Sequence, residues 1–167
     1  MIVVSDTTPL VLLLKIGKVY LLEKLFGRIF IPQAVFSELV VDKRFIEEAD
    51  IIRNNSQIEV KEVGSLEAVD ILRRVTGLDI GESEAIVLAD ELSADVLLMD
   101  EAKGRNVSKD LGHNVMGTIG IIMVAYEENL LTSEDVKECI EQLKKSGRHI
   151  GSRYYNMLLS RIDIRLQ

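Results

Sequence analysis

The sequence predicts an α/β protein whose parallel sheet is covered by helices on both faces. Three observations predict it. Short apolar segments alternate with helical patterns along the chain. The clearest of those segments, IVVS and VLLM, carry almost no polar residue, as strands buried on both faces do. No repeat, low-complexity tract or Pro/Gly/Ser linker interrupts the pattern, and only Pro9 and Pro32 occur, so one continuous fold is expected.

Ile2 to Ser5 reads as the first strand, because β-branched residues dominate and the turn-like DTTP follows at once. Helical patterns over Thr8 to Ile16 and Val19 to Phe26 lead to a brief strand from Arg28 to Ile31. Pro32 suits the first turn of the helix that comes next, and helical spacing continues to about Asn55. Alternation in IEVKEV marks a strand over Ile58 to Val63, followed by a short helix over Leu66 to Val75. GESEAIVLADEL is helical, with DIGE before it resembling a capping box in which Asp79 is the cap and Glu82 its partner. Strand Val96 to Met99, a helix in AKGRNVSKDLG closed by Gly112, and a short strand in NVM complete the alternation. From Thr118 onward everything reads as helix, and Thr132 with Asp135 resembles a second capping box. The α/β pattern is assigned to residues 1–130, with 131–167 a helical extension packed on the same domain.

A chain of 167 residues, 47% hydrophobic and 28% charged, can bury a core as one compact domain. LVLLLKI is too short to span a bilayer, and the N-terminus reads as a strand instead of a signal peptide, so a cytoplasmic protein is expected. The single Cys139 forbids an internal disulfide, and with only His113 and His149 any metal must be held by oxygen. A net charge of −7 argues against binding nucleic acid through global charge. From Lys137 onward, however, basic residues outnumber acidic ones, giving a tail that either meets phosphates or forms a solvated helical face.

The chemistry lies in the acids. Asp6 ends the first strand, a position that suits both a helix N-cap and a ligand site at a sheet's carboxyl edge. ADVLLMDE repeats the arrangement with Asp100 and Glu101. If the two strands are neighbours, a spacing of about 4.8 Å lets Asp6 and Asp100 share one ion. In IPQAVFSELV, Glu38 falls on the apolar stripe with Ile31, Val35 and Leu39, where a charge needs a partner or sits at the stripe's margin. Glu82 and Glu84 open a helix, where acids also complement the macrodipole without any further function. Acids converging on one sheet edge would raise each other's pKa values unless a cation neutralised them. Oxygen ligands alone select Mg²⁺ or Mn²⁺, ions suited to hydrolysis of a phosphodiester.

SDTTPLVLLLKIG, IPQAVFSELV and the long run LDIGESEAIVLADELSADVLLMDEAKGRNVSKDLGHNVMGTIGII resemble the PIN-domain family, over nearly the whole chain. Within that family it resembles a branch with GEAEAI-like and DD-x-KGR-like motifs and a helical C-terminal extension. It implies a PIN-like three-layer fold, a Mg²⁺ or Mn²⁺ site and ribonuclease activity, with VapC-type toxins of toxin-antitoxin pairs among the members. Asp6, Glu38 and Asp100 match the family's acids. By spacing the remaining acid falls on Glu82, with Glu84 possible; the two point about 200° apart on a helix, so one of them faces the ion. Further expectations are Glu101 as an additional carboxylate, Thr7 hydrogen-bonding near the metal, and Gly117-Thr118 as the small/hydroxyl turn beside the site. Lys103, Arg105 and Arg148 are candidates for RNA contact, with a solvated face as the alternative role. An RNA substrate, an antitoxin partner and a homodimer follow from the resemblance.

Two other functions fit parts of the pattern. A metal-dependent phosphatase or phosphotransfer domain also uses strand-end aspartates, but would favour D-x-D where Asp6 is followed by Thr7 and Thr8. A non-catalytic PIN-like module would bind RNA or a partner protein without cleaving it, its acids serving as caps.

Overall fold

The structure, a computed structural model, describes residues 1–41, 46–147 and 152–165. These residues fall into two compact units that divide between Thr118 and Ile119. In the first unit, strands β1 (Val3–Ser5), β2 (Ile29–Pro32), β3 (Ile58–Lys61), β4 (Val96–Leu98) and β5 (Val115–Met116) form a sheet in the order β3-β2-β1-β4-β5. Every pairing is parallel. Helices α1 (Thr7–Lys15), α2 (Tyr20–Phe26), α3 (Gln33–Val41), α4 (Ile46–Asn54), α5 (Leu66–Thr76), α6 (Ile80–Glu91) and α7 (Ala102–Asp110) alternate with the strands. Helix α8 (Thr118–Glu127) begins at the boundary, and α9 (Ser133–Lys145) and α10 (Ser152–Arg165) follow it. The expected α/β class is therefore the observed one.

Burial explains the strand pattern. All three residues of β1 and of β4 are buried, as their unbroken apolar sequence requires, whereas the edge strand β3 is mostly exposed. Val4 and Leu97 join Leu78, Ala85, Ile86, Leu88, Ala89 and Met99 in one core cluster between the sheet and α6. Helix α6 is buried along Gly81 to Ala89 and so lacks the one-sided pattern of a surface helix. Pro32 ends β2 instead of opening the helix, and α3 starts one residue later. Its missing N–H costs nothing at the end of a strand whose pairing stops there.

Strand order sets the position of the site. The chain steps outward from β1 to β2 and β3, then returns to the other side of β1 with β4, so the direction of winding reverses between β1 and β4. Ligands of open parallel sheets bind outside the carboxyl ends of strands at such a reversal. In the second unit, the Tyr126 hydroxyl donates to the Ile162 carbonyl at 3.2 Å, and the Lys144 ammonium lies 3.5 Å from the Tyr155 ring centroid. Lys137 and Lys144 also pair with Glu134 and Glu141. Two of the basic residues in this segment are thus neutralised locally. Among the described residues no helix is long and apolar enough to cross a membrane.

Candidate active site

Ser5 is paired with Leu98 across β1 and β4, and the Asp6 amide donates to the Leu98 carbonyl at 2.9 Å. Asp6 and Asp100 consequently leave adjacent strands at the same edge. Asp6 occupies the N-cap position of α1, but its side chain makes no capping hydrogen bond to that helix. Asp6 is 4% exposed. Burial is the main reason its pKa rises from 3.8 to about 7, with the Thr7 amide opposing and Asp79, Glu82 and Glu38 adding repulsion.

Glu38 reaches the same place from α3. Its position is exposed, so it lies at the margin of the apolar stripe and not within it. The carboxylate is nevertheless fixed, because the Thr7 hydroxyl donates to its Oε2 at 2.7 Å. Asp79 and Glu82 form the expected capping box: Asp79 Oδ1 accepts the Glu82 amide at 2.8 Å, and Glu82 Oε2 accepts the Asp79 amide at 3.1 Å. Burial raises the Glu82 pKa, the Asp79 amide opposes this, and the charges of Asp79 and Glu101 add to it.

Gly81 shows how closely these groups gather. A methyl group on its Cα would lie 3.5 Å from Asp79 Oδ1, 3.6 Å from Glu38 Oε2 and 3.7 Å from Asp6 Oδ1. Three carboxylate oxygens from three segments thus surround one small open space that a larger residue would fill. Asp79 belongs to this group, a role that its position as a helix cap in the sequence does not announce. The glycine between Asp79 and Glu82 was its one signal.

Asp100, 7% exposed, is held differently. Both its oxygens accept from Thr118, Oδ1 from the amide at 3.1 Å and Oδ2 from the hydroxyl in a short contact. Arg105 Nη1 donates to the Met99 carbonyl at 2.8 Å, and Lys103 Nζ to the Gly77 carbonyl at 3.1 Å. Both cations are thereby anchored beside the acidic segments. Arg148 lies outside the described residues. Glu84 turns away from Glu82 and accepts the Ala34 amide at 2.8 Å.

The donors around Gly81 are all carboxylate oxygens, the chemistry a hard divalent cation selects. Among the described residues, no three His, Cys, Asp or Glu side chains already stand as a closed coordination set. The fit therefore rests on donor type and on the shared space over Gly81. A family model described as a PIN domain matches residues 2–163. No curated protein matches the chain significantly.

Proposed function

The chain belongs to the PIN-domain family, whose members are generally nucleases, and from that premise we propose that it is a Mg²⁺- or Mn²⁺-dependent endoribonuclease. The observation that carries this reading is the state of Asp6: a buried carboxylate at the reversal of the sheet, unused as a cap and crowded by Glu38, Asp79 and Glu82. Repulsion of that kind is costly in a purely structural group and useful in one that holds a cation. Asp6, Glu38 and Glu82 would hold the ion with Asp100, and Glu101 would add to the negative field. When bound, a divalent cation neutralises these acids and stabilises the charge that develops on a phosphodiester under attack by water. Thr7 orients Glu38, and Thr118 orients Asp100. Lys103 and Arg105 would meet the RNA backbone beside Asp100.

Within this reading, the protein acts as a VapC-type toxin, countered by an antitoxin and working as a homodimer. A second reading has one specific support: Glu82, Glu84 and Asp100 all have protein partners, as the caps of a non-catalytic binding module would. The experiment is RNA cleavage with and without Mn²⁺, using the unsubstituted protein and Asp6→Asn, alongside Mn²⁺ titration. Cleavage that requires Mn²⁺ and disappears in a folded Asp6→Asn variant supports the nuclease. Absence of both Mn²⁺ binding and cleavage favours the non-catalytic module.

A further inference from the structure

Helix α3 starts at Gln33 directly after Pro32, and no acidic residue lies in its first turn. The opening amides of a helix have no acceptors within it and carry partial positive charge. Here an acceptor comes from another helix, because Oε2 of Glu84 on α6 takes the Ala34 amide at 2.8 Å. Glu84 is 8% exposed, so its carboxylate is a buried acceptor that the Ala34 amide satisfies.

This contact joins two helices that both bear site acids. Glu38 lies about one turn beyond Ala34 on α3, and Glu82 precedes Glu84 on α6, pointing about 200° away from it. Glu82 is turned into the loop with Asp79, while Glu84 reaches across to α3. The position of Glu38 relative to Asp6 depends on where the N-terminus of α3 is held against α6. We infer that Glu84 is a positioning residue: it clamps the start of α3 to α6 and so sets Glu38 beside Asp6 and Gly81, itself touching neither ion nor substrate. Its consequence for catalysis rests on the nuclease reading; the clamp itself does not.

Glu84→Gln and Glu84→Ala separate the roles, because the glutamine carbonyl still accepts the Ala34 amide while being a poor ligand for a hard cation. Three readouts are needed: hydrogen exchange of the Ala34 amide, Mn²⁺ affinity by electron paramagnetic resonance, and kcat and KM for RNA cleavage under conditions where each variant is folded. In Glu84→Ala, Ala34 exchange should accelerate, and Mn²⁺ affinity and kcat should fall about 10- to 100-fold with KM for RNA unchanged. Glu84→Gln should restore all three towards the unsubstituted protein. Equal loss of Mn²⁺ binding in both variants would make Glu84 a ligand and overturn the inference. So would a folded Glu84→Ala with unaltered kcat and Mn²⁺ affinity. If the unsubstituted protein neither binds Mn²⁺ nor cleaves RNA, the nuclease reading fails; the clamp is then decided by Ala34 exchange alone, and unchanged exchange in Glu84→Ala refutes it.

Discussion

The hydroxyl of Thr7 donates to Oε2 of Glu38 at 2.7 Å, joining the first residue of α1 to a glutamate on α3. Thr7 directly follows Asp6, so the residue that carries the buried Asp6 carboxylate is succeeded by one that orients the Glu38 carboxylate towards it. A long glutamate on a helix margin has several rotamers, and a single charge-assisted bond selects one.

Replacing Thr7 by valine keeps the side-chain volume and removes the donor. Cleavage activity should fall about tenfold or more, as for other groups that orient a metal ligand. Stability should fall by about 1.5 to 3 kcal/mol, the usual contribution of a hydrogen bond to a charged group. Thr7→Ser should retain both properties. Rates measured beside urea unfolding check this, and full activity in Thr7→Val would show that Glu38 needs no such orientation.

The raised pKa of Asp6 predicts a specific pH dependence of stability. The aspartate titrates near 3.8 when unfolded and at about 7 when folded. Between those values the folded protein keeps a proton that the unfolded chain has released, so stability is fully present at low pH and declines as pH rises through the window. The part between pH 5 and 8 is about 2 to 3 kcal/mol. Glu82, shifted in the same direction, adds to it. In the presence of a chelator, urea midpoints should fall from pH 5 to pH 8, and Asp6→Asn should largely flatten the decline. Equal slopes in the two proteins would show that Asp6 ionises normally.

Asp79 combines a cap with a charge, and the two can be separated. Asp79→Ser retains an oxygen for the Glu82 amide and should leave stability near that of the unsubstituted protein, whereas Asp79→Ala should cost about 1 kcal/mol. Both substitutions remove a negative charge that raises the Asp6 pKa. The Asp6 carboxyl should therefore titrate at lower pH in Asp79→Ser, measured by carboxyl carbon NMR. An unmoved titration would reduce Asp79 to a cap.

Much of this arrangement is legible in one dimension. IVVS and VLLM read as buried strands because nothing polar interrupts them, and the aspartates that follow are conspicuous for the same reason. The boxes of Asp79 with Glu82 and Thr132 with Asp135 are local, so their spacing alone reveals them. Contacts between distant segments are not legible in this way. Glu84 looks like any acid near a helix start until α3 is seen to bring Ala34 against it. Spacing places Glu38 on the apolar stripe but does not resolve whether it lies within the stripe or at its solvent-facing margin. The alternation in IEVKEV extends to Val63, but pairing with β2 stops at Lys61, opposite the end of β2 at Pro32.

Gly104 carries a final prediction. It sits in helix α7, in the KGR segment, where glycine is unfavourable by about 1 kcal/mol relative to alanine and therefore needs a reason. The reason is close packing: a Cβ at this position would strike Met99 Sδ and lie 2.9 Å from Glu82 Oε1. Met99 is fully buried in the core cluster beneath α6, so the sulfur cannot yield without disturbing neighbours, and Glu82 is held in its capping box. Gly104→Ala should thus reverse the usual gain of alanine in a helix and destabilise by about 1 to 3 kcal/mol, the typical cost of overpacking. It should also weaken Mn²⁺ binding, because α7 would move away from Glu82 or push it from its place. Thermal unfolding and Mn²⁺ titration test the two effects, and a Gly104→Ala protein more stable than the unsubstituted one would mean that α7 does not pack against Met99 and Glu82 as described.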